Sequence, residues 1–251
     1  MDIFQYFIKD YQGPPFVLFG TVHIATLIVV AICIFALTFF KGAPAQVLTR
    51  ARWSMAMILW LNEAAWHLWN VAIGTWTIQT MLPLHLCSVM IWLAGFMLIF
   101  RNYTIYEFIY FLGISGALQA LLTPDTGIYS FPHFRYIQTM LSHGLLVGVG
   151  VYMTVVEGFR PTWKSILRVF VIANIYMLII YFVNAAIGSD YMMVNAKPAL
   201  HSLLDLLPDW PWYLAWLELI ALANFLILYL PFIIKDWRTK RATDQPIPEV
   251  T

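Results

Sequence analysis

Seven stretches of the chain are apolar almost throughout: 17–40, 53–74, 83–100, 105–122, 137–156, 167–187 and 213–234. At about 18 to 24 residues each, they are long enough to cross a bilayer as helices. Breakers separate them at Lys41-Gly42-Ala43-Pro44, Thr123-Pro124-Asp125 and Arg160-Pro161, with a longer connection over 188–212. The pattern predicts an all-α fold, a polytopic bundle of seven transmembrane helices forming one domain over 1–234. Residues 235–251 are polar and Pro-containing and are expected to be a disordered tail. Within 188–212, Pro198 is placed to start a short helix and Pro208 to follow one. Leu200, Leu203, Leu204 and Leu207 then fall on one side, as in an interfacial helix covering the bundle. No internal repeat or low-complexity tract appears, so a repeat-built transporter lacks its usual signature.

Composition agrees with the pattern. Of 251 residues, 61% are hydrophobic and 11% charged, and the mean hydropathy is +0.76. Aromatic residues make up 17%, which suits two interfacial belts, and Trp210-Pro211-Trp212-Tyr213 reads as an anchor in one of them. A net charge of +1 points to no polyanionic partner, and nucleic acid is not expected. The two cysteines, Cys33 and Cys87, both lie in apolar runs and suggest no disulfide. Asp2, Lys9 and Asp10 give an amino-terminal flank too acidic for a signal peptide, and the first run is read as a retained span.

The basic residues orient the bundle. Lys41, Arg50, Arg52, Arg101, Arg160, Lys164, Arg168, Lys235, Arg238, Lys240 and Arg241 fall on one side, against Lys9, Arg135 and Lys197 on the other. The positive-inside rule then puts the amino terminus outside and the carboxyl terminus in the cytoplasm. On that orientation Cys87 lies about 6 Å, His143 and His23 about 9 Å, His67 about 12 Å and Glu218 about 8 Å below the outer ends of their spans. His85, His133 and His201 lie at or beyond the outer boundary. Ionisable groups inside spans usually face a bundle interior or a watery cavity, so an outward-facing polar chamber is expected.

Spacing adds detail. Glu63, His67 and Asn70 share one face of the second span and are expected to line and support the chamber. His85 and Cys87 are about 200° apart on a regular helix and would not face one site, so Cys87 needs a base from another span. His143 is the candidate, at matching depth, with Gly144, Gly148 and Gly150 beside it to admit a neighbouring helix. Plainer readings stand beside these. A lone membrane thiol is usually a small hydrophobe, and Cys33 is assigned so. His23 and His85 suit helix-to-helix hydrogen bonds. Glu63 and His67 suit a self-neutralising pair.

Leu82-Pro83-Leu84-His85-Leu86-Cys87-Ser88, with Ser142-His143-Gly144, resembles the YwaF-like family of bacterial integral membrane proteins. That family is similar to a eukaryotic membrane acyltransferase that places polyunsaturated acyl chains on ether phospholipids. The resemblance implies Cys87 as nucleophile, His143 as its base, and membrane phospholipid donors and lysolipid acceptors as partners, with no cofactor and no third catalytic member assigned. It also implies a bacterial cytoplasmic membrane. The chemistry would be attack of a thiolate on an acyl ester, giving a thioester that a lipid hydroxyl resolves. Two other classes compete: an outward-facing binding or transport protein for a small solute, and a metal or haem site using His23, His67, His85 and His143. No recognised ligand spacing supports the latter.

Overall fold

A computed structural model of the chain describes residues 3–197 and 206–243, the last five as backbone. All regular structure among them is helical. The elements are α1 (Thr21–Leu37), α2 (Ala45–Ala72), α3 (Leu86–Phe100), α4 (Tyr103–Phe108), α5 (Ile114–Leu122), α6 (Phe134–Val155), α7 (Trp163–Ile187) and α8 (Trp212–Thr243). A buried π-helical turn, Ile109–Gly113, joins α4 and α5 into one continuous rod, so the long segments are seven. Four segments are long and apolar enough to cross a membrane: Thr21–Phe40, Tyr103–Leu122, Trp163–Ile187 and Trp212–Arg238. α3 is apolar but shorter. α2 and α6 are less apolar because they carry the interior polar groups, among them Glu63, Asn70, Gln138 and Ser142, all buried.

α6 is the hub, packed against α1, α2, α3 and α5. Its glycines make this possible. A Cβ on Gly150 would stand 2.7 Å from Ile114 of α5, while Gly144 and Gly148 receive Val30 and Leu37 of α1. The expected close helical approach at these glycines is therefore made by α1 and α5. Local signals fix the ends. Asn102 accepts from the Ile105 N–H at α4, Thr162 and Ser165 form a capping box at α7, and Gly188 closes α7 at φ +68°.

The segments alternate in direction, and the two ends of the bundle differ in chemistry. At one end, Arg52 and Arg101 both reach Glu157, Arg168 reaches Glu107 at 2.5 Å, and Arg160 reaches Asp236 at 2.5 Å. At the other, three side chains take three successive carbonyls of the amino-terminal strap. The Trp69 indole donates to Phe7, His133 to Ile8 and the Tyr129 hydroxyl to Lys9.

Most boundaries shift by a few residues from the sequence reading, and three of the shifts have a local cause. α2 starts at Ala45, directly after Pro44, so the helix includes the polar turn with Arg50 and Arg52 that precedes the apolar run. α3 starts at Leu86 rather than 83, because His85 has an extended backbone, φ −65° and ψ 144°. The tail expected from residue 235 is helical as far as Thr243, in keeping with good helix formers and basic residues near a helix C-terminus. The helix expected between Pro198 and Pro208, with Leu200, Leu203 and Leu204, lies almost wholly outside the described residues, as does His201.

Candidate functional site

A cavity of about 610 Å³ opens among α3, α4, α7 and α8, within the roughly 300–1,000 Å³ typical of small-molecule sites. Leu86, Val89, Met90 and Leu93 line it from α3, Ile105, Phe108 and Leu112 from the α4 rod, and Phe170, Ala173 and Met177 from α7. α8 adds Leu214, Leu217, Ala221 and Phe225. Into this apolar wall are set His85, Cys87, Tyr176 and Glu218.

Pro83 and the extended residue His85 decide the arrangement at the top of α3. The helix begins only at Leu86, so His85 is not on a regular turn with Cys87, and both side chains reach the same cavity. The separation of about 200° holds for a regular helix, and the chain is not helical at His85. His85 Nδ1 accepts from the Met192 N–H at 3.3 Å, and its ring meets Tyr191 edge-on at 5.0 Å. Tyr191 in turn accepts from the Leu82 N–H and donates to the Ile78 carbonyl, which pins the 78–85 loop to the segment after α7. Met192 and Met193 have φ of +59° and +55°, strained for side-chain-bearing residues, and both line the cavity. The Tyr176 hydroxyl donates to Leu84 at 2.9 Å. Part of the connection expected to cover the bundle thus does lie over the His85 end.

His143 sits on α6, which packs against α3. Its Nδ1 lies 2.8 Å from the Thr139 carbonyl, which fixes the proton on Nδ1 and leaves Nε2 with an uncommitted lone pair among the described residues. It is not part of the cavity wall.

On the second-span face Glu63 and Asn70 are buried and His67 is partly exposed. Glu63 is 2% exposed, stands 3.7 Å from His67 Nε2, and lies within electrostatic reach of Ser88, Cys87 and Arg135. Its Oε1 has no hydrogen bond among the described residues. Arg135 lies over the Trp66 ring at 4.0 Å and donates to Gln138 and to the Asp125 carbonyl. Asn70 closes the end of α2 by accepting from Thr75 at 2.8 Å, while His67 accepts from the Trp76 indole. None of the three lines the cavity. His23 ties α1 to α5, accepting from the Phe19 N–H and donating to the Leu121 carbonyl at 2.8 Å. Cys33 is exposed on α1. Among the described residues no three His, Cys, Asp or Glu side chains are grouped to hold a metal, so His23, His67, His85 and His143 form no ligand set.

Several residues that matter to the site or to the bundle around it were not singled out from sequence. Glu107 was discoverable as an acid inside an apolar run, and Asn174 as an amide inside another. Tyr191 and Met192 carry no local signal.

The fold and the cavity define an integral membrane protein, a helical bundle with a thiol set into an apolar cavity between its helices. The model of the TMEM164 family matches residues 18–229, and the chain belongs to that family. Comparison with curated proteins and with solved structures finds no match.

Proposed function

We propose that this chain is a membrane-embedded lipid acyltransferase or transacylase, in which Cys87 forms an acyl thioester and membrane phospholipids and lysolipids are donor and acceptor. The observation that carries the reading is that Cys87 lies in the wall of a cavity of about 610 Å³ whose other polar lining is confined to His85, Thr104, Tyr176 and Glu218. An acyl chain in that cavity would bring its ester carbon to the sulfur. The finer resemblance, to YwaF-like proteins of a bacterial cytoplasmic membrane, belongs to the same proposal, as does an outer-leaflet opening.

The base is assigned to His143, whose free Nε2 lone pair suits proton removal. The thiol gives its proton to that nitrogen as sulfur attacks the ester carbonyl. The imidazolium then protonates the departing lipid alkoxide. A second reading gives the base role to His85, and what favours it is that His85 shares the Cys87 cavity.

Reconstituted protein with a phospholipid carrying a labelled acyl chain tests all of this. Label should appear on Cys87 as a hydroxylamine-sensitive thioester and be absent from Cys87→Ala. His143→Ala should slow labelling about 10²-fold or more, a general-base effect. The same loss in His85→Ala, with His143→Ala unaffected, moves the base to His85. No label on the native protein ends the acyltransferase reading.

A further inference from the structure

The carboxylates with buried side chains have basic neighbours, and the half-buried Glu218 is the exception. Glu107 meets Arg168, Glu157 meets Arg52 and Arg101, and Glu63 lies beside His67. Glu218 has no basic side chain in ion-pair distance among the described residues. It stands six residues into α8, about 9 Å from Trp212 along the axis, and lines the same cavity as Cys87. Its Oε2 accepts a 2.8 Å hydrogen bond from the Asn174 amide on α7. Asn174 is itself held by donating to the Phe170 carbonyl at 3.0 Å. Oε1 has no protein donor among the described residues. A carboxylate set in an apolar wall is costly, and a packing role would be filled better by leucine. Here the group is oriented by an amide and has one oxygen left over for whatever occupies the cavity.

We propose that Glu218, oriented by Asn174, is the group that binds the free hydroxyl of the acceptor lipid and takes its proton. The proposal rests on the acyl-transfer reading of the same cavity. In the second half of the reaction the hydroxyl oxygen forms a bond to the thioester carbonyl carbon and the carbon–sulfur bond breaks. The bond pair leaves on sulfur. The hydroxyl proton passes to the Glu218 carboxylate and is returned to the Cys87 sulfur, which restores both groups.

Two measurements on the full chain test it. In the first, a lysophospholipid with a free hydroxyl, its O-methyl ether and a long-chain amine compete for the purified protein in detergent. The native protein should prefer the free hydroxyl to the ether by about tenfold, the scale of one hydrogen bond to a charged group. Glu218→Leu should abolish the preference, Glu218→Gln should keep part of it, and Asn174→Leu should weaken it. Equal binding of alcohol and ether, or stronger binding of the amine, overturns the proposal. In the second, labelled acyl-Cys87 should accumulate in Glu218→Gln, because hand-off to the lipid slows, and a larger share of the label should be lost to water. Slower loading of Cys87 instead would place Glu218 in the donor half and overturn the assignment. If the native protein takes no label, the acyltransferase reading fails, and the binding preference alone still decides whether Glu218 reads a hydroxyl.

Discussion

Glu157 has a side chain only 3% exposed, yet it receives two guanidinium groups from different helices. The two are not equivalent. Arg52 is 12% exposed, and its Nε has no hydrogen bond among the described residues, whereas Arg101 is half in solvent. Removing the acid strands a buried cation, so Glu157→Ala should cost about 3–5 kcal/mol, seen as a lower thermal midpoint in detergent. Arg101→Ala should cost no more than about 1 kcal/mol, because water already screens that partner. His133 offers a pH test outside the spans. Its Nδ1 accepts from the Arg135 N–H at 3.1 Å and its Nε2–H donates to Ile8 at 3.0 Å, which requires the neutral ring. Burial holds its pKa below the ordinary value, against the opposing pull of the Ile8 bond. The unfolded chain therefore binds the proton more readily, and stability should be full above about pH 6.5 and fall as pH drops through it. His133→Asn should flatten that slope in a pH series of thermal midpoints.

Helix packing depends on where a side chain is missing. The Trp60 indole lies on Gly95, so a Cβ there would fall 2.2 Å from its Nε1, and α2 and α3 would have to separate. Gly116 on α5 has nothing within 4 Å. Gly95→Ala should destabilise by about 1–3 kcal/mol through overpacking. Gly116→Ala should instead stabilise by about 0.5–1 kcal/mol, since only backbone freedom changes. Unfolding of both variants in one detergent checks the contrast. Apolar runs were enough to place all seven long segments, because length and hydropathy are local properties. The ends were less legible. Arg50 and Arg52 are as helical as the run they precede, and hydropathy marks the part of a helix suited to lipid rather than the helix. The site was legible only in part. Cys87 and Glu218 stood out as unusual residues in apolar runs. That His85 shares the cavity of Cys87 depended on an extended residue after Pro83 and on contacts with Tyr191 and Met192, more than a hundred residues away.

At the scale of the whole molecule, the orientation read from the basic residues is open to a direct test. Single cysteines introduced at Lys41 and Lys197, in a chain without Cys33 and Cys87, test it with an impermeant thiol reagent on intact cells. Lys197→Cys should label and Lys41→Cys should not; the reverse pattern inverts the topology. The length of α3 carries a further consequence. Its 15 residues span about 22 Å, against roughly 30 Å of bilayer hydrocarbon. The shortfall is at the Pro83 end, where an irregular loop takes the place of a first helical turn. Thinning of the lipid beside α3 is one way such a short span is matched. A phospholipid standing there would then present its ester near the level of the thiol while its headgroup stayed in water. Under the proposed acyl transfer the surrounding membrane would do part of the work of bringing substrate to Cys87, and labelling of Cys87 should be faster in a thin bilayer than in a thick one.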